Sequence, residues 1–123
     1  FVGFIADQGP KPVNIHHWMT FLHQDTPVFT GAERIGKKVG AAAYFLHITR
    51  PRRGYYVCRF ECLTRCMAQH PDYEFTDLFM RRLEKEINEQ PHLWLWSHRR
   101  WKHTRQEVER IQQGFARHAE AKN

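Results

Sequence analysis

Residues 31–63 read GAERIGKKVGAAAYFLHITRPRRGYYVCRFECL, and the change of period inside this stretch decides the fold class. The segment from Gly31 to Val39 has the form of a helix, and Gly40 is placed to end it, because glycine accepts the left-handed conformation found just past helix C-termini. From Ala41 to Ile48 the chain is almost continuously apolar, the pattern of a strand buried on both faces of a sheet. Arg50-Pro51-Arg52-Arg53-Gly54 makes a charged turn, and Tyr55 to Leu63 then alternates. Tyr56, Cys58, Phe60 and Cys62 fall on one side and Arg59 and Glu61 on the other, which predicts a strand with one wetter side, paired antiparallel to its predecessor.

Outward from this stretch the same reading extends to both ends. Thr30-Gly31-Ala32-Glu33 has the form of a capping box for the helix, with Thr30 accepting from the Glu33 N–H and Glu33 reaching back to the Thr30 N–H. Upstream lie a turn at Asp25-Thr26-Pro27, an extended segment from His16 to Leu22, a loop from Asp7 to Asn14, and the apolar run Phe1-Val2-Gly3-Phe4-Ile5-Ala6, which reads as a buried strand. Downstream, Phe75, Phe79, Leu83 and Ile87 recur at steps of four and with Leu78 predict an amphipathic helix over 72–90, stopped by Pro91. Thr104-Arg105-Gln106-Glu107 is a second capping box, opening a helix that carries Val108, Ile111 and Phe115. The expected architecture is α/β: a mixed sheet of about four strands with flanking helices.

A chain of 123 residues holds one core. Its 41% apolar and 26% charged residues exclude a disordered chain. Nineteen Lys and Arg against thirteen Asp and Glu give a net charge of +6, which favours anionic partners such as nucleic acid, phospholipid headgroups or an acidic carrier protein. Cys58, Cys62 and Cys66, odd in number and spaced by four, form neither a disulfide framework nor a zinc site, and read as reduced, half-buried residues. No metal or cofactor is expected, and no segment is long and apolar enough to span a bilayer. The opening on Phe1, inside an apolar run, predicts a piece of a longer chain.

Three places offer chemistry. In 91–103, PHLWLWSHRRWKH, two Trp and two Leu precede a cationic cluster. Arg99, Arg100 and Lys102 suit phosphates there, although the segment equally suits Trp packed on a core beside a solvated basic face, or a stacking site for single-stranded nucleic acid. The small-residue turn at Thr30 and Gly31 exposes helix N-terminal N–H groups that suit an anion, with Arg34 close behind. Asp7 and Gln8 follow the first predicted strand, where α/β sheets place their ligand crevice. None of the nine histidines has a carboxylate at a recognisable motif spacing.

Ile5-Ala6-Asp7-Gln8, Phe21-Leu22, Phe29-Thr30-Gly31 leading to a helix and Gly40, an apolar strand ending at Arg50, and Leu95-Trp96-Ser97-His98-Arg99-Arg100-Trp101-Lys102 together resemble the lauroyl/myristoyl acyltransferases of lipid A biosynthesis. The resemblance covers residues 1–103 as the C-terminal part of an acyltransferase domain and leaves 104–123 as a C-terminal helix. It implies a glycerolipid acyltransferase-like fold and transfer of a fatty acyl chain from acyl carrier protein to a lipid A precursor at the cytoplasmic face of the inner membrane. It implies a catalytic histidine followed by an acidic residue in a His-x4-Asp/Glu pair, the general base and its orienting partner. No histidine of this chain has an acidic residue at that spacing, so the fragment is expected to be inactive alone and to supply the substrate side. On that side Asp7 and Gln8 line the crevice, Thr30 and Gly31 present a helix N-terminus, Arg34 loosely matches a phosphate ligand, and Arg99, Arg100 and Lys102 meet phosphates. An exposed sheet edge and apolar surface predict self-association.

Overall fold

The structure, a computed structural model, describes residues 2–7, 9–94, 96–97 and 100–121. In chain order it forms β1 (Trp18–Phe21), β2 (Gln24–Pro27), α1 (Gly31–Val39), β3 (Ala43–Arg52), β4 (Tyr55–Thr64), α2 (Glu74–Glu89) and α3 (Arg105–Ala121), with short 3-10 turns at Pro12–Asn14, Met67–Gln69 and Pro91–Leu93. The class is α/β as expected. The four strands, however, form two separate antiparallel pairs, β1-β2 and β3-β4, rather than one mixed sheet. Two compact units result, one from residues 1–30 with 95–123 and one from 31–94.

The expected strand at the start of the chain does not form among residues 2–6, where Val2 and Ile5 are exposed and only Ala6 is buried. An apolar run becomes a strand only when another strand takes its N–H and C=O groups, and none is paired with it among the described residues. The reversal expected at Asp25–Pro27 lies earlier. Phe21 pairs with Gln24 across Leu22 and His23, whose φ angles of 49° and 66° mark a two-residue hairpin turn, and Asp25–Pro27 continues as β2. Positive φ costs a non-glycine residue about 1 kcal/mol, and His23 is exposed. His23→Gly should therefore raise the unfolding free energy by about 1 kcal/mol, measured by urea denaturation.

The buried apolar residues of the first unit are Ala6, Ile15, Met19, Phe21, Val28 and, on α3, Val108. The Trp101 ring lies 6.5 Å from that of Phe21, and Trp101 donates its indole N–H to Thr26 Oγ1 at 2.7 Å. Gln112 of α3 donates to the carbonyls of Pro12 and Ile15, both at 3.0 Å. Arg105 forms a two-pronged pair with Asp25, at 2.9 and 2.8 Å, which holds its guanidinium above its ordinary pKa. The second capping box is present: Thr104 N–H donates to Glu107 Oε2 at 3.1 Å and Glu107 N–H to Thr104 Oγ1 at 3.3 Å.

In the second unit α1 ends as its sequence predicts. Gly40, at φ 65°, donates to Lys37 O, and Ala41 donates to Gly36 O, the bond pattern of a Schellman cap. Met67 lies over Gly36, where a side chain would collide with its thioether. The buried stripe of α2 is Phe75, Thr76, Met80, Leu83 and Ile87, whereas Leu78 is exposed and Phe79 is half-buried against Phe45, ring centroids 5.8 Å apart.

The β3-β4 hairpin inverts the expected burial. Pairing puts Phe45 opposite Glu61 and His47 opposite Arg59, so these four share a face. That is the wetter face, yet it packs on α2, where Glu61 and His47 bond Arg82 and Glu86. The other face carries Tyr44, Leu46 and Ile48 opposite Cys62, Phe60 and Cys58, and it is exposed. β3 is thus covered on one side only, and Cys58 and Cys62 are exposed rather than half-buried, while all three cysteines are free.

Candidate functional site

The candidate site residues divide between the two units. Asp7, Thr30, Arg100 and Lys102 belong to the first, and Gly31 and Arg34 to the second, while Gln8 and Arg99 lie outside the described residues. The structure brings together one pair of them. Arg100 is 2% exposed and donates from Nε to the Asp7 carbonyl at 3.0 Å and from Nη2 to the Pro27 carbonyl at 2.7 Å. Its Nη1 is buried with no hydrogen-bond partner among the described residues, beside Gly9. Burial pushes the guanidinium down to about 10, against the opposing charge of Asp7, so it remains a cation at neutral pH.

Arg100 therefore acts first as a clamp that fixes the Asp7 backbone to the end of β2. Trp101 is also turned inward by its bond to Thr26. Of the rings and cations that would suit single-stranded nucleic acid, Arg100 and Trp101 are taken up by contacts within the chain. Lys102 and Trp96 are exposed. The preference of Trp and Arg for half-buried positions was legible in the sequence, but which way each would turn depends on β1 and β2, which the composition of 91–103 does not encode.

At the start of α1, Thr30 and Gly31 are buried and Arg34 is exposed. The first capping box takes a different form. Glu33 is 4% exposed, and its carboxylate accepts from the N–H groups of Tyr73 at 2.9 Å and Thr76 at 3.0 Å, at the N-terminus of α2. Tyr73 stands at φ 69° there, and Lys37 pairs with Asp72 at 2.7 Å. A buried carboxylate at two adjoining helix N-termini meets positive partial charge from both, which explains how it tolerates desolvation. No signal in the local sequence reveals the 40-residue reach from Glu33 to Tyr73.

A second network missed from sequence joins the hairpin to α2. His47 Nδ1 lies 2.6 Å from Glu86 Oε2, and Arg82 bonds both Glu86, at 3.1 Å, and Glu61. The Arg82 hydrogen bond holds the Glu61 carboxyl below its ordinary pKa, and the two carboxylates outweigh partial burial to hold Arg82 above its own. Alternation flagged Glu61 as facing away from Phe60, but the partners sit on a distant helix. Among the described residues no group of His, Cys, Asp and Glu has the arrangement of a metal site.

Two features thus recur in the order of the sequence motifs: an Asp7 backbone anchored by the buried Arg100, and a capped α1 that begins at Gly31. Residues 1–103 match the family described as bacterial lipid A biosynthesis acyltransferase. The chain belongs to that family. The match spans both units and stops short of α3, so the lipid A acyltransferase signature resides in the strands, α1, α2 and the Trp/Arg segment. Neither the curated proteins nor the solved structures contain a match to this chain.

Proposed function

We propose that this chain is the substrate-facing part of an acyltransferase that moves a fatty acyl chain from acyl carrier protein to a lipid A precursor, within a glycerolipid acyltransferase-like fold at the cytoplasmic face of the inner membrane. The observation that carries the reading is the family match over residues 1–103. The acceptor hydroxyl attacks the acyl thioester after a general base takes its proton, and that base is the histidine of a His-x4-Asp/Glu pair lying outside these 123 residues. The oxygen of the acceptor forms the new ester, the thioester C–S bond breaks, and the carrier leaves as its thiol.

Within this chain the roles differ by burial. Arg100, with Nε and Nη2 committed to the carbonyls of Asp7 and Pro27, is a positioning residue rather than a phosphate ligand, and Asp7 and Gln8 are assigned to the crevice by the family resemblance alone. Lys102 and Arg34, each exposed within its own unit, are the phosphate contacts of this reading, Arg99 is added by its place in the motif, and Gly31 opens α1 as the helix start offered to the acceptor.

Two measurements test this. The 123-residue chain mixed with acyl carrier protein thioester and a lipid A precursor should give no product, and turnover by it would overturn the assignment of the base. In the complete natural protein, Lys102→Ala and Arg34→Ala should each raise KM for the lipid acceptor about tenfold with little change in thermal stability, consistent with loss of one charge-assisted contact. An unchanged KM in both would remove them from the acceptor site.

A further inference from the structure

Between the end of β4 and the start of α2, three side chains stand in series. Thr64 closes the strand, His70 follows the 3-10 turn Met67–Gln69, and Glu74 opens α2, all within the second unit. The His70 ring joins the other two, with Nδ1 2.8 Å from Glu74 Oε1 and Nε2 2.8 Å from Thr64 Oγ1. Hydroxyl, imidazole and carboxylate at hydrogen-bond distance are the arrangement that activates an oxygen nucleophile for acyl transfer.

With the imidazole neutral, the protons have one consistent placement. An ionised Glu74 only accepts, so Nδ1 carries the ring proton and Nε2 is bare. The bare nitrogen accepts from the Thr64 hydroxyl, whose other acceptor, the Cys66 carbonyl, is farther away at 3.2 Å. The Cys66 N–H donates to Thr64 Oγ1 at 3.3 Å, where it offsets negative charge as the hydroxyl loses its proton. As a structural tie to α2 the Glu74 bond contributes little, because that side chain is 55% exposed and solvent screens the pair. Fixing a tautomer does not require burial. Thr64 and His70 are half-buried rather than sealed, which leaves them open to an acyl group brought from solvent.

We propose that Thr64 is a nucleophile acylated by an acyl thioester, with His70 as its general base and Glu74 as the residue that positions the imidazole. His70 Nε2 takes the hydroxyl proton as Oγ1 attacks the thioester carbonyl. The C–S bond breaks, the thiol leaves with that proton, and an oxygen ester remains on Thr64. The inference goes beyond transfer to a lipid and rests on that reading only for the class of donor. Its test contains no lipid acceptor, so the two can fail separately.

The probe is the butyryl thioester of N-acetylcysteamine, incubated with the 123-residue chain at mildly alkaline pH. Neutral hydroxylamine then clears acyl groups from the free thiols of Cys58, Cys62 and Cys66 and leaves an oxygen ester in place. Mass spectrometry should find a single butyryl group, on Thr64. Thr64→Ser, which keeps the hydroxyl, should react at least as fast, and Thr64→Val should not react. His70→Gln should slow the reaction about a hundredfold, the loss of a positioned base. Glu74→Gln, which keeps an oxygen at Nδ1 but removes the charge, should slow it about fivefold, the effect of one exposed ion pair. In His70→Ala, added imidazole should restore acylation, and a further Glu74→Gln should then change nothing, since Glu74 acts only through the ring. Three results would each overturn the proposal: no acyl group that survives hydroxylamine, the same yield from Thr64→Val with the acyl groups on lysines, or an unchanged rate in His70→Gln.

Discussion

Arg100→Ala should lower the unfolding free energy by about 3 kcal/mol, the largest loss expected from any charged residue of the first unit. The half-buried Asp7 carbonyl and the buried Pro27 carbonyl lose the donors that bond them at 3.0 and 2.7 Å. An unsatisfied buried acceptor costs on the order of 1–3 kcal/mol, and removing a side chain that is 2% exposed leaves a void beside Gly9. Desolvation acts in the opposite direction. Burial holds the guanidinium down at about 10, well below its ordinary value, so its charge opposes folding at all pH values below about 10, and the penalty fades only as pH rises above that toward the value of a free guanidinium. Arg100→Met, which keeps a packed stem and removes the charge, should therefore lose less, about 1–2 kcal/mol. Equilibrium urea unfolding of the three proteins checks the order. If Arg100→Ala matched the parent in stability while losing only acceptor affinity, Arg100 would be a ligand group and not a clamp.

Local rules carried the reading where an element's partners are close in sequence. α1 with its Gly40 cap, the α2 helix and the Thr104/Glu107 box depend on residues within a few positions of one another and stand where the pattern put them, and the β3-β4 hairpin forms with Gly54 at its turn, although β3 runs on to Arg52 through most of the turn expected at Arg50–Gly54. The failures share the opposite property. The run at 2–6 has strand composition, but a strand is a relation between two segments, and no periodicity within Val2 to Ala6 specifies the second. Leu22 and His23 turn the β1-β2 hairpin at positive φ without glycine or asparagine, so the usual turn signal was missing and the reversal was assigned to Asp25–Pro27 instead.

The inverted hairpin has the same origin. Alternation correctly divided Tyr56, Cys58, Phe60 and Cys62 from Arg59 and Glu61, since that follows from the pleat alone. Which side meets α2 is decided by pairings such as Glu61 with Arg82 and His47 with Glu86, across 21 and 39 residues. In the candidate site, likewise, the family motif was legible as a string, but the inward turn of Arg100 was not. The string records which residues recur and is silent on whether a guanidinium holds a substrate phosphate or the carbonyl of its own chain.

Glu33→Ala should cost about 3 kcal/mol, and it should act on α2 although Glu33 lies in α1. The carboxylate accepts from Tyr73 N–H and Thr76 N–H at 2.9 and 3.0 Å in a site 4% exposed, so its removal strands two donors where water does not replace it. Hydrogen bonds to a charged acceptor contribute about 1.5–3 kcal/mol each, and the loss of helix-terminus attraction adds to them. Tyr73 is the most exposed to this loss. Its φ of 69° is strained for a tyrosine, and with the Glu33 bond gone the first turn of α2 has less to hold it there. Glu33→Gln keeps one carbonyl oxygen but turns an amide N–H₂ toward the second donor, so it should fall between parent and alanine, near 2 kcal/mol. Hydrogen exchange separates this account from simple loss of α1: the amides of Tyr73 and Thr76 should lose protection before those of Gly40 and Ala41, whose Schellman bonds to Lys37 and Gly36 do not involve Glu33. Uniform loss across both helices would show that Glu33 supports α1 itself, and the cross-helix cap would then have to be abandoned.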